Sequence, residues 1–189
     1  MRSVTYYDNR YDFSSIDELI YHETLDHEMI PILDYVKMLI ENREIPEEKI
    51  TPPELSESLE RDGIRSLQLV DEIKREADTT HTSILSELKD IQTWSYLSLY
   101  FAEKLKAGVL LQLYREKGGM ENKNASINHL RNALDHWEMV VALTEDRYRP
   151  VPHVSIPEDQ EEYRAFSWAW YLPQVKRDLD IAESAVYKE

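Results

Sequence analysis

From Thr82 to Lys117 the chain carries no proline and a single glycine, Gly108, before it closes on Gly118-Gly119. Such a stretch predicts one helix of about 50 Å at about 1.5 Å per residue, with the glycine pair as its C-terminal stop. Ile91, Trp94, Leu97, Leu99, Tyr100, Phe101, Leu105 and Val109 make its middle apolar on nearly every side. A helix of that kind belongs at the centre of a molecule, contacted from several directions. Only 4 glycines occur in 189 residues, against a usual share of about 7%, which disfavours turn-rich β folds and Gly-loop α/β folds.

Two start signals precede the long helix. Ser15-Ile16-Asp17-Glu18 reads as a capping box, in which the hydroxyl accepts from the N3 amide and the glutamate reaches back. A first helix is expected from there to about Asn42, kinked or broken near Ile30 by Pro31, which removes a backbone bond. Residues 1–14 read as an extended lead-in, with Tyr6, Tyr7, Tyr11 and Phe13 able to pack by their rings, and 43–53 as a proline-rich connection. Thr51-Pro52-Pro53-Glu54 then opens a second helix, with prolines where a missing N–H costs nothing. Leu55, Leu59, Leu67, Val70, Ile73 and Ala77 form its inner face, and Asp78-Thr79-Thr80 its end.

After Gly119 another helix, capped near Asn124, presents Ile127, Leu130, Leu134, Trp137, Val141 and Thr144 as a three-four seam. Residues 148–157 hold Pro150, Pro152 and Pro157 and predict an extended connection, with a short acidic turn of helix at 158–166. A last helix begins near Phe166 to Trp170, tolerates Pro173 in its first turn, and repeats the seam through Leu172, Val175, Leu179, Ala182 and Val186. No alternating β-branched stretch appears, so the fold class is all-α with no sheet: a helical bundle or short helical-hairpin array of about five helices, in a single domain over 1–189. At this length roughly 70% of the extended chain's surface can be buried, enough for one core.

Composition removes several functions. Lys and Arg number 22 against 37 Asp and Glu, a net charge of −15, which repels nucleic-acid phosphates and anionic lipid. Neither nucleic acid nor membrane insertion is expected, and no run of about 20 apolar residues exists to span a bilayer. With 42% hydrophobic residues the chain is too apolar to be a disordered acidic segment. No cysteine is present, which excludes disulfides, thiolate catalysis and cysteine-ligated metal. The acidity is uneven: residues 1–62 hold 16 acidic and 6 basic side chains, net −10, and residues 63–189 hold 21 and 16, net −5. The N-terminal third therefore reads as the solvated side and the remainder as the place for a contact surface.

The densest polar cluster runs from Tyr21 to Glu28. His22 and His27 are five apart, about 140° out of line on a helix, so the two-histidine zinc-protease motif is not met. On a helix Glu18 would face His22, and Glu23 would face His27. His22, Glu23 and His27 are thus the candidate metal ligands, against the commoner reading of a solvated charged face. No Glu-x-x-His pair of the di-iron bundles exists, nor a Gly-x-Ser-x-Gly elbow or glycine-rich phosphate loop. No catalytic residue and no cofactor is nominated. Trp168, Trp170 and Tyr171, with Tyr163 and Phe166, form the most unusual aromatic group. Exposed, they would stack on sugars or anchor a neighbouring domain; the commoner reading puts them in the gap where the last helix docks.

Three segments, Asp90-Ile91-Gln92 through Tyr100 to Gly108, Leu134 to Glu138 through Tyr148-Arg149-Pro150, and Phe166-Ser167-Trp168 through Leu172 to Leu179, carry a resemblance. Together they are similar to the helical C-terminal region of large bacterial, Bacteroides-type proteins that look like glycoside hydrolases. The resemblance covers about residues 80–185 and transfers no catalytic residue. It implies a non-catalytic helical accessory domain, excised from a larger carbohydrate-active protein, that packs on or positions the parent's catalytic domain or another protein, with carbohydrate contact through the aromatics. Extracytoplasmic placement would follow for such a fragment, cytoplasmic otherwise. The alternatives are a free-standing metal-binding helical-bundle enzyme built on the His22 region, and a tetratricopeptide-like interaction module suggested by the hairpin around Gly118-Gly119.

Overall fold

Capping chemistry sets the starts of two helices. Ser15 Oγ accepts from the Glu18 amide at 3.2 Å while the Glu18 carboxylate accepts from the Ser15 amide at 2.7 Å, which opens α1 (Ile16–Tyr21). Thr51 and Glu54 repeat the exchange at 3.3 and 2.9 Å and open α3 (Pro52–Glu76). Between them lies α2 (Ile32–Glu41), and after them come α4 (Thr82–Lys117), α5 (Met120–Thr144) and α6 (Leu172–Ser184). The computed structural model describes residues 13–76, 82–146, 151–152 and 165–187. The chain is an all-α helical bundle, and among the described residues no helix is long and apolar enough to cross a membrane.

The long helix is unbroken from Thr82 to Lys117, and it is the hub against which α5, α3, α2 and α1 pack. Gly118 and Gly119 have φ of +75° and +88°, a left-handed turn that side chains with a Cβ resist. That turn lets α5 begin at once, so it starts at Met120 and not near Asn124. The two helices run antiparallel. Trp137 packs its ring 4.9 Å from Tyr100, and Ser126 Oγ donates to the Ala107 carbonyl at 2.9 Å. On the other side α3 runs antiparallel to α4, where Gly63 allows the closest approach: a Cβ there would stand 3.0 Å from the Ser95 carbonyl.

Two expectations need correction. The first helix does not reach Pro31; it stops at Tyr21, with His22 already extended at ψ 143°. Pro31 bars helix at Ile30, and the Asp26 carboxylate holds its own turn by accepting from the Glu28 amide at 2.9 Å. The freed backbone pairs across the fold instead: Ile30 N–H donates to the Ile50 carbonyl at 2.9 Å and Ile50 N–H to the Glu28 carbonyl at 2.7 Å. Second, the acidic helical turn expected over 158–166 does not reach its end as helix: β2 (Ala165–Phe166) is extended and pairs antiparallel with β1 (Val151–Pro152), a two-residue contact that leaves the all-α class unchanged. The remaining expected features at Tyr6, Tyr7, Tyr11, Ala77–Thr80, Tyr148 and 153–164 lie outside the described residues.

The core has two connected parts. Around the C-terminal half of α4, Ala107, Leu111 and Tyr114 meet Ile16 and Ile20 of α1, Ile32 and Val36 of α2, Ile127 and Leu130 of α5 and Ala182 of α6. Around its middle, Leu97 and Tyr100 meet Ala133, Trp137 and Val140 of α5 and Val175 of α6.

Candidate functional site

The proposed metal ligands do not come together. His22, Glu23 and His27 are exposed and stand in the irregular segment after α1, so the i,i+4 geometry that made them partners does not exist. The His27 carbonyl accepts from the Lys49 ammonium. Among the described residues no group of three or more His, Asp or Glu is arranged to hold a metal ion.

The aromatic group sits on a 3-10 turn, Trp168–Tyr171, that leads into α6. Its three rings are half-buried. Trp168 stacks edge-on to Trp137 at 5.5 Å and takes the Trp137 indole N–H on its carbonyl at 3.2 Å; Tyr171 packs 5.7 Å from Phe13 and Trp170 lies beside Tyr171. At three residues per turn Trp168 and Tyr171, three apart, fall on one side, and Trp170 projects about a third of a turn away from them. Phe13 closes this cage, 5.2 Å from Trp137 and 5.9 Å from Tyr100.

Beneath Phe13 is the molecule's most constrained polar contact. Lys104 Nζ lies 2.7 Å from Asp178 Oδ2, with the two side chains 3% and 2% exposed. The ammonium also donates to the Ser14 carbonyl at 2.6 Å and the Tyr100 hydroxyl at 3.0 Å, and sits 4.3 Å over the Phe13 ring. Asp178 Oδ1 accepts the Ile16 amide at 2.7 Å, one of the donors that a helix start leaves without an intrahelical partner. All three ammonium protons and both carboxylate oxygens are used. Burial pushes the Lys104 pKa down and the Asp178 pKa up, and their mutual attraction opposes both shifts. Burial likewise raises Tyr100. The cluster ties the lead-in and α1 to α4 and α6, and it has no room for a substrate. Neither residue was picked out by sequence, although Asp178 occupies the Val175/Ala182 seam position, where a charge demands a partner.

A second polar cluster faces α5. Glu103 accepts from His129 and Asn132, each at 2.9 Å, and from Lys106 at 3.2 Å, while Lys106 also reaches Glu60 of α3 at 2.8 Å. Burial would raise the Glu103 carboxyl, but these bonds and the attraction of His129 hold it down to about 2. Burial lowers the neighbouring His136. The cluster is a brace across α3, α4 and α5, with each carboxylate oxygen of Glu103 committed to a neighbour.

The feature that remains is apolar. Ile84, Ile91, Trp94, Phe101 and Leu105 fall within an arc of about 100° on α4 at 3.6 residues per turn. Ile91, Trp94, Phe101 and Leu105 were expected inside, yet Trp94 is 69% exposed, Phe101 47% and Ile91 42%. The reason is which sides are covered. Helix α5 lies against the Leu97/Tyr100 side of α4, and α1 and α2 are grouped around the C-terminal half of α4, so among the described residues no helix lies on this side of the N-terminal half. The same side of α3 adds Leu69 and Ile73, both exposed, four and five turns beyond Leu55. At its far end the strip enters a cleft of about 60 Å³ lined by Leu19, Ile32, Pro52, Leu55 and Leu105, far below the roughly 300–1,000 Å³ of small-molecule sites and right for a side chain.

Comparison of the chain with known protein families, curated proteins and solved structures finds no match.

Proposed function

We propose that the chain is a non-catalytic helical docking domain that seats a partner segment along the α3–α4 face. The observation that carries the reading is the position of Trp94: the largest side chain type, 69% exposed, in line with Ile84, Ile91 and Phe101 on a strip whose last member, Leu105, lines a cleft. By the usual sizes of such side chains the strip and its α3 flank expose roughly 500 Å², at the upper end of the patches that monomers leave bare. Covering it would stabilise a complex by on the order of 10 kcal/mol before association costs. The buried polar clusters support the same reading, because both serve as internal ties. The resemblance of residues 80–185 to helical regions of glycoside-hydrolase-like proteins agrees with an accessory role beside a catalytic domain. A 34-residue tetratricopeptide unit is a poorer fit, since α4 and α5 alone take 36 and 25 residues.

The test is a neutral leucine/glutamine amphipathic helical peptide titrated onto the full chain. Seating should blue-shift the Trp94 contribution to fluorescence, identified by comparison with Trp94→Phe, and should be lost in Ile91→Ser/Phe101→Ser while far-UV circular dichroism is unchanged. Trp94 emission that ignores every such peptide removes the docking reading.

A further inference from the structure

Resting on that docking reading, we infer that the occupant of the α3–α4 face is a basic amphipathic helix: one apolar stripe flanked by Lys or Arg. The shape comes from the strip. A row with the spacing Ile84, Ile91, Trp94, Phe101 and Leu105 follows one helix for more than five turns. A partner that matches it must present apolar groups at the same long, straight repeat, which an amphipathic helix laid in a groove does. A cleft at one end receives a terminal anchor side chain beside Leu105 and Leu55.

The charge comes from the rim. On the strip side α4 offers Glu87, with no basic side chain on that arc. The charges on the neighbouring side of α3 are paired, Arg61 with Asp62 at 3.3 Å and Arg65 with Glu72 at 3.5 Å, and so bring no net positive charge to the rim. The cleft is walled by the segment from His22 to Ile30, where Glu23, Asp26 and Glu28 are all exposed. The one lysine close by, Lys49, is bonded to the His27 carbonyl. Thus an apolar strip carries Glu87 at its side and ends beside the exposed Glu23, Asp26 and Glu28, on a chain whose net charge is −15. A second copy of the chain would bring like rims together, a costly juxtaposition at an interface. A basic helix brings opposite charge to the same places, and speeds the encounter as well.

Two synthetic 18-residue peptides decide the matter, one of leucine and lysine at amphipathic helical spacing, the other with glutamate in place of lysine. Titrated onto the full chain at about 0.15 M salt, the lysine peptide should bind at least about tenfold more tightly than the glutamate peptide, the worth of two or so rim contacts. The margin should shrink in about 1 M salt, where screening acts within about 3 Å. Trp94→Ala/Phe101→Ser should weaken the lysine peptide by about tenfold or more. Asp62→Lys/Glu87→Lys should narrow or reverse the preference. Equal binding of both peptides, still dependent on Trp94, overturns the basic-partner inference and leaves the docking reading standing. Lysine-peptide binding that survives loss of Trp94 and Phe101 is attraction to the acidic surface elsewhere and overturns both, as does the failure of both peptides to bind.

Discussion

Helix α4 breaks the inside-outside rule twice, in opposite directions. On one side it buries a lysine, and on another it exposes a tryptophan. The buried site is closed by five elements: Phe13 and the start of α1, Tyr100 on α4 itself, Trp137 on α5, the Trp168–Tyr171 turn and Asp178 on α6. The exposed site has, among the described residues, α3 alone beside it. What the difference teaches is that burial here follows coverage by neighbouring helices and not the polarity of the residue. A charge tolerates that coverage when each of its hydrogen bonds is matched, while a large ring left without coverage, in a row of apolar neighbours, is what the docking proposal rests on.

The largest effect is expected at the covered site. Asp178→Ala strips the Lys104 ammonium of its counter-charge and the Ile16 amide of its acceptor. It should cost about 3–5 kcal/mol in urea unfolding. The double change Lys104→Met/Asp178→Asn keeps an acceptor for Ile16 and removes the charge, and should recover most of that loss. If Asp178→Ala unfolds like the parent, the contact is not the tie described.

Next comes Glu103, held at about 2 from an ordinary 4.5. A carboxylate depressed in the folded state contributes stability that is present above the unfolded value and is lost as pH falls through the folded one. Between pH 4.5 and 2 the parent should therefore lose about 1–3 kcal/mol more than Glu103→Gln. Unfolding midpoints at stepped pH check the difference, and parallel curves would refute it.

Gly63→Ala probes the contact between α3 and α4 beneath the open face. Alanine favours helix by about 1 kcal/mol, yet its Cβ would meet the Ser95 backbone carbonyl at 3.0 Å and Leu99 at 3.1 Å. The net should be destabilising by about 1–2 kcal/mol, read as a lower thermal midpoint. The smallest effect on stability belongs to Trp94→Ala, expected within about 0.5 kcal/mol because the ring touches little. Its consequence should appear only in peptide binding. A large loss of stability there would show that the ring is part of the fold after all.

The helices were legible because their signals are local. Ser15/Glu18 and Thr51/Glu54 announce starts through bonds three residues apart, and Gly118-Gly119 announces a stop through backbone freedom. The break after Tyr21 was misplaced because it depends on the pairing of Ile30 with Ile50, a partner twenty residues further on than Ile30. The metal candidate fell with it, since His22, Glu23 and His27 had been aligned on a helix that is not there. Lys104 and Asp178 were invisible for a similar reason: 74 positions separate them, and nothing near either names the other.

What the sequence determined by itself is the set of helices and their apolar seams, since capping, helix periodicity and glycine freedom act within a few residues. Only the tertiary structure decided which apolar positions are covered. The residues of α4 are apolar nearly all round, so no periodicity distinguishes Trp94 from Leu97 as inside or outside. That choice is made by which side of α4 helices α5 and α3 take and by where α1 and α2 pack, which are properties of other segments and of the space between them.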